Sequence, residues 1–377
     1  MFVTWSAAAA AAGLACRPAA GQQGQAPSQQ SKLDVDGMLE VTRVPGVAVA
    51  GVIDTRPVEF YNGVKRSGDS SSIAANTTFP AASLSKAVFA WAVRDLVKQG
   101  NLDWTRPLED YARLGLAGDA RRITAEQVLS HSSGLPNWIF DPSKSLELEY
   151  PVGSRWRYSG EGFVLLQRVV EAIAGAPIAA YMKTAVLEPL GMTSSTYAWS
   201  PELQNGASGH DDSGRVMEKS LRFYEESNYQ VIAKAGLSPE AARYDQIIAA
   251  YRKSGRAPLN IAIEPNVAGS LQTTAADYAR FLERVLADVA VRPDDYRPRI
   301  DVNKRISWTL GLGVDRSLGT PAFFHMGDGP GFKNLAWVQP ERKTALVILT
   351  NGERGIRLYS WLLRSLLRED PAALYWV

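Results

Sequence analysis

The chain has almost no sulfur chemistry available to it. Its 377 residues contain one cysteine, Cys16, which excludes an internal disulfide framework and any cysteine-built zinc or iron–sulfur cage. Histidine is nearly as scarce. His131, His210 and His325 are too few for a His-rich metal site, and no H-E-x-x-H pair occurs. A charge excess is also missing. Lys and Arg number 41 against 39 Asp and Glu, a formal +2, so the charge balance gives no footprint for nucleic acid. There is no G-x-S-x-G elbow, no G-x-x-x-x-G-K-[ST] loop and no dinucleotide fingerprint. Beyond residue 15 no segment is apolar over the roughly 20 residues that span a bilayer. The chain is therefore expected to use no metal and no cofactor. Any catalysis falls to ordinary side chains.

What is present is the composition of a globular chain, 46% apolar and 21% charged, close to the usual averages. The length fits two domains or one bilobed domain with a sizeable core. The compositional anomaly is at the N-terminus. Residues 2–15 form an uncharged, Ala-rich apolar run, too short to span a bilayer but within the range of a signal-peptide core. A Gln/Pro/Ser-rich stretch, 21–31, reads as a linker. Cys16 after Gly13-Leu14-Ala15 resembles a bacterial lipoprotein cleavage box, although no Lys or Arg precedes the run and Leu14 stands one place late. Export, to the periplasm or beyond, is the expectation. Cys16 is the candidate lipidation site and the sole route to membrane anchoring.

Further along, the β-branched run 47–53 predicts a strand, with 57–64 as its hairpin partner. A helix is expected from Ser83 to Gln99, with Gly100 in the C-cap place. Thr124 and Gln127 form a capping box for a second helix, ended by Gly134-Leu135-Pro136. Residues 160–174 place Phe163, Leu166, Val170 and Ile173 on one helical face. Ser238-Pro239-Glu240 predicts the start of a helix running to Gly255. Thr274 and Asp277 open another, with Asp277 read as a capping-box acid. The runs 308–314, 322–325, 335–338 and 345–349 are joined too closely for helical crossovers and predict an antiparallel meander. A helix over 356–368 follows. Strands at both ends and helices between them predict an α+β fold. Its antiparallel sheet, flanked by helices, is built from both chain ends, with a mostly helical subdomain inserted. The boundaries expected are 1–33 for the signal-like segment and linker, 34–96 with 266–377 for the sheet subdomain, and 97–265 for the helical one. The charge-rich stretch 215–265 reads as a lid, a pocket wall or a surface insertion.

Ser83-Leu84-Ser85-Lys86 is the one S-x-x-K in the chain. A sequence of this composition yields about one by chance, so the motif alone carries no weight. Its placement at the start of an apolar helix carries more. Three residues turn a helix by about 300° and raise it about 4.5 Å, so Ser83 Oγ and Lys86 Nζ can meet on one face. A serine hydroxyl needs a neighbouring base, and lysine serves only when its pKa is brought from about 10.4 toward 7–8. The competing reading makes Ser83 an N-cap and Lys86 a surface charge.

Phe79-Pro80-Ala81-Ala82-Ser83-Leu84-Ser85-Lys86 resembles the nucleophile segment of the serine β-lactamase superfamily. That superfamily includes class C β-lactamases, penicillin-binding D-Ala-D-Ala peptidases, D-aminopeptidases and β-lactamase-like esterases. Five further stretches resemble the same family in the same order: 128–136, 156–160, 268–278, 308–313 and 324–327. The resemblance spans roughly residues 40–365. It implies Ser83 as the acylated nucleophile, Lys86 sharing its proton, and Tyr158 as the partner general base and later acid. It also implies an oxyanion hole from the backbone N–H groups of Ser83 and Asp328. Gly327 would let substrate approach the strand edge, and His325 would hydrogen-bond substrate, or a carboxylate when protonated. Asn137 and Trp138 fall where relatives place pocket-wall residues. His131 reads as structural.

Two departures stand out. Gly160 occupies the place of the family's amide-binding asparagine, and His325-Met326-Gly327 replaces Lys-Thr-Gly. Both weaken the case for an efficient β-lactamase and leave Ser83, Lys86 and Tyr158 in place. The expected activity is therefore hydrolysis of a small ester, amide or peptide. The alternatives are a β-lactamase or penicillin-binding protein and, in another class, a penicillin-binding sensor module without turnover.

Overall fold

A computed structural model describes residues 33–203 and 205–376. The expectations for the apolar run 2–15, for Cys16 and for the linker 21–31 lie outside the described residues. The strands are β1 (Gly46–Ile53), β2 (Arg56–Gly63), β3 (Phe79–Pro80), β4 (Gln272–Thr273) and β5 (Ile300–Asp301). They continue with β6 (Ile306–Trp308), β7 (Gly313–Asp315), β8 (Ala322–Gly329), β9 (Phe332–Gln339) and β10 (Thr344–Thr350). The helices are α1 (Val35–Thr42), α2 (Leu84–Lys98), α3 (Ala125–Leu129), α4 (Gly160–Ala174) and α5 (Ile178–Met182). Then come α6 (Leu221–Lys234), α7 (Tyr244–Lys253), α8 (Ala275–Val291) and α9 (Gly355–Leu367).

The hairpin of β1 and β2 closes over Asp54 and Thr55, both with positive φ. That backbone matches the right-handed twist of the strands it joins. The other edge of β1 pairs antiparallel with β10, Val47 opposite Thr350. The first and last strands are thus neighbours, and the sheet runs β2-β1-β10-β9-β8-β7-β6-β5. This is the expected α+β architecture with an antiparallel sheet assembled from both ends. Every residue of β9 and β10 is buried, as strands covered on both faces must be. Ala345, Val347 and Leu349 join the core shared with α2 and α8. The alternate residues Leu346 and Ile348 face the opposite side, where α9 packs.

Four local differences from the sequence reading have physical causes. Helix α3 ends at Leu129, well before Gly134, because the chain breaks at His131 with φ +56°. The run 308–314 is two strands, not one: Thr309 N–H and Oγ1 both bond the Leu312 carbonyl across a turn with Gly311 at φ +99°. Ser238-Pro239-Glu240 caps a single turn, with the Ser238 carbonyl accepting from Ala241 and Ala242, and α7 begins only at Tyr244. Thr274 does cap α8, accepting from Asp277 N–H. The Asp277 carboxylate, however, reaches Ser194 N–H (2.8 Å), Ser195 Oγ (2.9 Å) and Arg280 (2.6 Å) rather than closing a box. Among the described residues, no single helix is long and apolar enough to cross a membrane.

Candidate active site

The site begins with a strained residue. β3 pairs with β4, and the chain then turns sharply through Ala82, which holds φ +48°. A left-handed conformation costs a non-glycine residue roughly 1–2 kcal/mol. The surroundings hold it there. Ser85 Oγ donates to Ala82 O at 2.5 Å and accepts from Leu271 N–H at 3.0 Å. The Tyr197 and Tyr278 hydroxyls donate to the Ser85 and Leu84 carbonyls at 2.8 and 3.0 Å. Leu84, Ser85 and Lys86 N–H bond back to Ala81, Ala82 and Ser83. Ser83 stands at the N-cap of α2 but makes no side-chain capping bond.

Its hydroxyl instead meets Lys86, whose Nζ lies 3.1 Å from Ser83 Oγ. Lys86 is 1% exposed, so it is no surface charge. Its other hydrogen bond goes to the Ala268 carbonyl at 2.7 Å. The rings of Tyr158, Phe163 and Trp138 surround the amine at 4.9, 5.5 and 5.9 Å. Among the described residues no carboxylate pairs with it. Burial without a counter-ion lowers its pKa from 10.5 to about 7. In the neutral form the contact reverses, and the Ser83 O–H donates to the amine lone pair.

Tyr158 sits over this amine. Burial raises its phenol pKa above the ordinary value, with the Ser83 side chain pulling the other way. His131 holds the ring from behind, 4.1 Å between centroids and 30° between planes. The His131 Nδ1 accepts from Ser159 N–H at 3.1 Å, fixing the backbone just past Tyr158. Its burial and the nearby Lys86 push its pKa well below 6.5. The structural reading of His131 thus acquires a specific content: it is a neutral backing plate for Tyr158.

Strand β8 forms the facing wall. β7 pairs with it only from Ala322 to Phe324, so the edge of β8 from His325 to Gly329 is left open by that neighbour. Asp328 lies on this stretch, its side chain turned to Lys333 at 2.8 Å. Gly327 has a packing role on this strand. A Cβ there would lie 2.3 Å from the Ala81 carbonyl, so the glycine lets β8 close on the chain beside Ser83. His325 also lines this wall. Its Nδ1 lies 2.8 Å from the Met326 carbonyl, which accepts, leaving Nε2 buried without a partner. Burial, then Lys86, lowers its pKa from 6.5 to about 3. Burial thus favours the neutral imidazole, with Nε2 as the free acceptor.

The remaining wall is the loop after α3. Asn137 Oδ1 accepts from Gly160 N–H at 3.0 Å, and the Asn137 carbonyl accepts from Gly160 and Glu161 N–H. Glu161 in turn accepts from Ile139 N–H at 3.0 Å. Gly160 itself is buried beneath Trp138, with the indole where a Cβ would stand, so it supports the wall rather than touching the cavity. The cavity has a volume of about 360 Å³ and is bounded by Ser83, Asn137, Trp138, Tyr158, His325 and Asp328. Trp308, Phe324, Met326 and Trp376 complete it. The sequence reading did not anticipate Trp376. Its signal was an aromatic pair, Tyr375-Trp376, shortly after Pro371 and outside any periodic pattern. Segment 215–265 contributes nothing to this lining among the described residues. It has its own small core, Val231, Ile232, Ile247 and Tyr251 among others, and its Arg222, Glu226, Tyr229 and Gln230 line a separate cavity of about 510 Å³. It docks on α4 through Tyr244 N–H to Glu171.

A family model described as Beta-lactamase matches residues 34–364, and the chain belongs to that family of serine hydrolases. "Penicillin-binding protein 4" of Amycolatopsis lactamdurans is 24% identical over 368 residues, covering 89% of this chain and 88% of that protein. "Esterase EstB" of Burkholderia gladioli is 30% identical over 148 residues, 31% of this chain and 38% of that protein. A solved class C beta-lactamase shares the fold with a TM-score of 0.68 at 14% identity, over 89% of this chain and 94% of that one.

Proposed function

We propose that the chain hydrolyses a small, uncharged ester or amide through an acyl-enzyme at Ser83, with little or no β-lactamase activity. The observation that carries this reading is the Lys86 amine, 3.1 Å from Ser83 Oγ and buried without a counter-ion. As Ser83 Oγ attacks the carbonyl carbon, its proton passes to neutral Lys86, with Tyr158 relaying a proton to the leaving group. The oxyanion is met by the N–H groups of Ser83 and Asp328, each typically worth about 2.7–4 kcal/mol in the transition state. Water attacks the acyl-enzyme by the same route in reverse. Asn137, tied to Gly160, offers a neutral amide side chain on the wall and takes the place of the missing asparagine. With His325 neutral and Asp328 exposed, the cavity lining among the described residues carries no Lys or Arg for a substrate carboxylate.

Parallel assays with a p-nitrophenyl ester, a D-alanyl peptide and a chromogenic cephalosporin test the substrate class. The ester is expected to turn over fastest. Fast cephalosporin turnover overturns the reading. The similarity to a penicillin-binding protein over 89% of the chain favours a second reading, acylation by penicillin without release. A fluorescent penicillin that labels Ser83 stoichiometrically and persists for hours would select it. Export rests on residues 1–33 alone. Globomycin-sensitive processing at Cys16 would establish lipidation, and retention of residues 1–20 in the mature protein would refute export.

A further inference from the structure

One wall of the cavity beside Ser83 comes from a segment that the catalytic reading leaves without a role. Residues 371–376 are tied down by a buried acid on β7. Asp315 Oδ2 accepts from Ala373 N–H at 2.7 Å, and Oδ1 accepts from the N–H and Oγ of Ser317 at 2.7 and 2.6 Å. Ser317 Oγ then accepts from Ala372 N–H at 2.9 Å. Ala373 and Leu374 are buried. The Tyr375 hydroxyl donates to Asp370, and the Arg364 guanidinium lies over its ring at 5.0 Å. This anchoring delivers Trp376 to the cavity. Its indole packs edge-on against Trp156 at 5.2 Å and Phe324 at 6.1 Å, and tilted on Trp308 at 6.0 Å. Aromatic neighbours at these separations hold a ring in one place.

The result is a box with aromatic sides. Trp138 stands on the loop before α4, Trp308 and Phe324 are contributed by β6 and β8, and Trp376 is on the anchored segment. A cavity of about 360 Å³ lies near the small end of ligand sites, which run from about 300 to 1,000 Å³. Rigid aromatic sides favour flat or compact apolar groups and stop an extended chain. We propose that Trp376 determines specificity: it limits the group carried beside the scissile bond to an aromatic or short-chain apolar one and excludes long alkyl chains. The inference rests on the reading of Ser83 as the acylated nucleophile.

The test compares Ser83 labelling rates, by intact mass, for a short-chain and a long-chain alkyl fluorophosphonate. Each probe forms an Oγ–P bond, releases fluoride and gives the serine proton to Lys86, so the two differ only in chain length. The wild type is expected to favour the short-chain probe by about tenfold or more, the scale of a steric pocket's discrimination. Trp376→Ala is expected to remove most of that preference by raising the long-chain rate relative to the short-chain rate, with Trp376→Phe between them. The ratio kcat/KM for p-nitrophenyl octanoate over butyrate should rise correspondingly in Trp376→Ala. An unchanged probe ratio in Trp376→Ala overturns this inference alone. Equal slowing of both probes in both variants also overturns it, because a residue that only supports the fold slows every probe alike. Failure of the wild type to label with either probe removes the Ser83 reading, and this inference with it.

Discussion

The Trp138 indole fills the space that a side chain at position 160 would need. A Cβ on Gly160 would lie 2.3 Å from Cη2 and Cζ2 of that ring. The missing asparagine at 160 and the tryptophan at 138 are therefore two halves of one packing arrangement, pinned by the bond from Gly160 N–H to Asn137.

Gly160→Asn should accordingly be destabilising. Overpacking of this kind costs typically about 1–3 kcal/mol, read as a lower urea midpoint. In a Trp138→Ala background the same substitution should cost much less, giving a coupling energy in a double-mutant cycle. Equal costs in the two backgrounds would contradict the arrangement.

The acid limb of activity should report Lys86. With its pKa near 7, kcat/KM should rise with pH and level off above neutrality. The Tyr158 phenol, raised above its ordinary range, adds no limb near pH 7. Stability follows the same group. Between about 7 and 10.5 the unfolded chain holds a proton on Lys86 that the folded chain has lost. The contribution of Lys86 to stability therefore rises with pH across that window, and its penalty is full below it. Lys86→Met should melt higher than wild type at pH 6 while losing activity. An activity profile without a limb near 7 would contradict this account.

Neither His131 nor His325 should titrate between pH 5 and 8. Both are held neutral by burial and by Lys86. Their imidazole carbon–proton shifts, followed by NMR, should stay flat, and a midpoint near the ordinary 6.5 for either would contradict the assignment.

His131 should matter for Tyr158 more than for substrate binding. His131→Ala leaves the Ser159 N–H without its acceptor and removes the surface against the phenol. An orphaned buried donor costs about 1–3 kcal/mol. On that basis the melting temperature should fall, and kcat should drop while KM changes little. A change confined to KM would argue against the backing role.

Some of this is legible in the sequence because it is local. The β1–β2 hairpin follows from the β-branched run 47–53 and the short turn after it, and α4 from its apolar face. The meeting of Ser83 and Lys86 follows from the pitch of one helical turn. What escapes notice is set by packing. Helix α6 buries few apolar residues, chiefly Val231 and Ile232, so it lacks a clear stripe. Ser238-Pro239-Glu240 has the chemistry of a helix start but serves one turn, because the next seated apolar face belongs to Ile247 and Tyr251. The neutrality of His325 depends on burial beside Lys86, a residue far away in the chain. The Trp308, Phe324 and Trp376 walls come from three separate segments that only the fold unites.

The central claim is that Ser83 is the nucleophile and Lys86 its base. It is tested most directly by treating wild type, Ser83→Ala and Lys86→Met with a fluorophosphonate probe and weighing the intact proteins. The account predicts one adduct on wild type, none on Ser83→Ala and a labelling rate cut by orders of magnitude in Lys86→Met. Equal labelling of wild type and Ser83→Ala would contradict it.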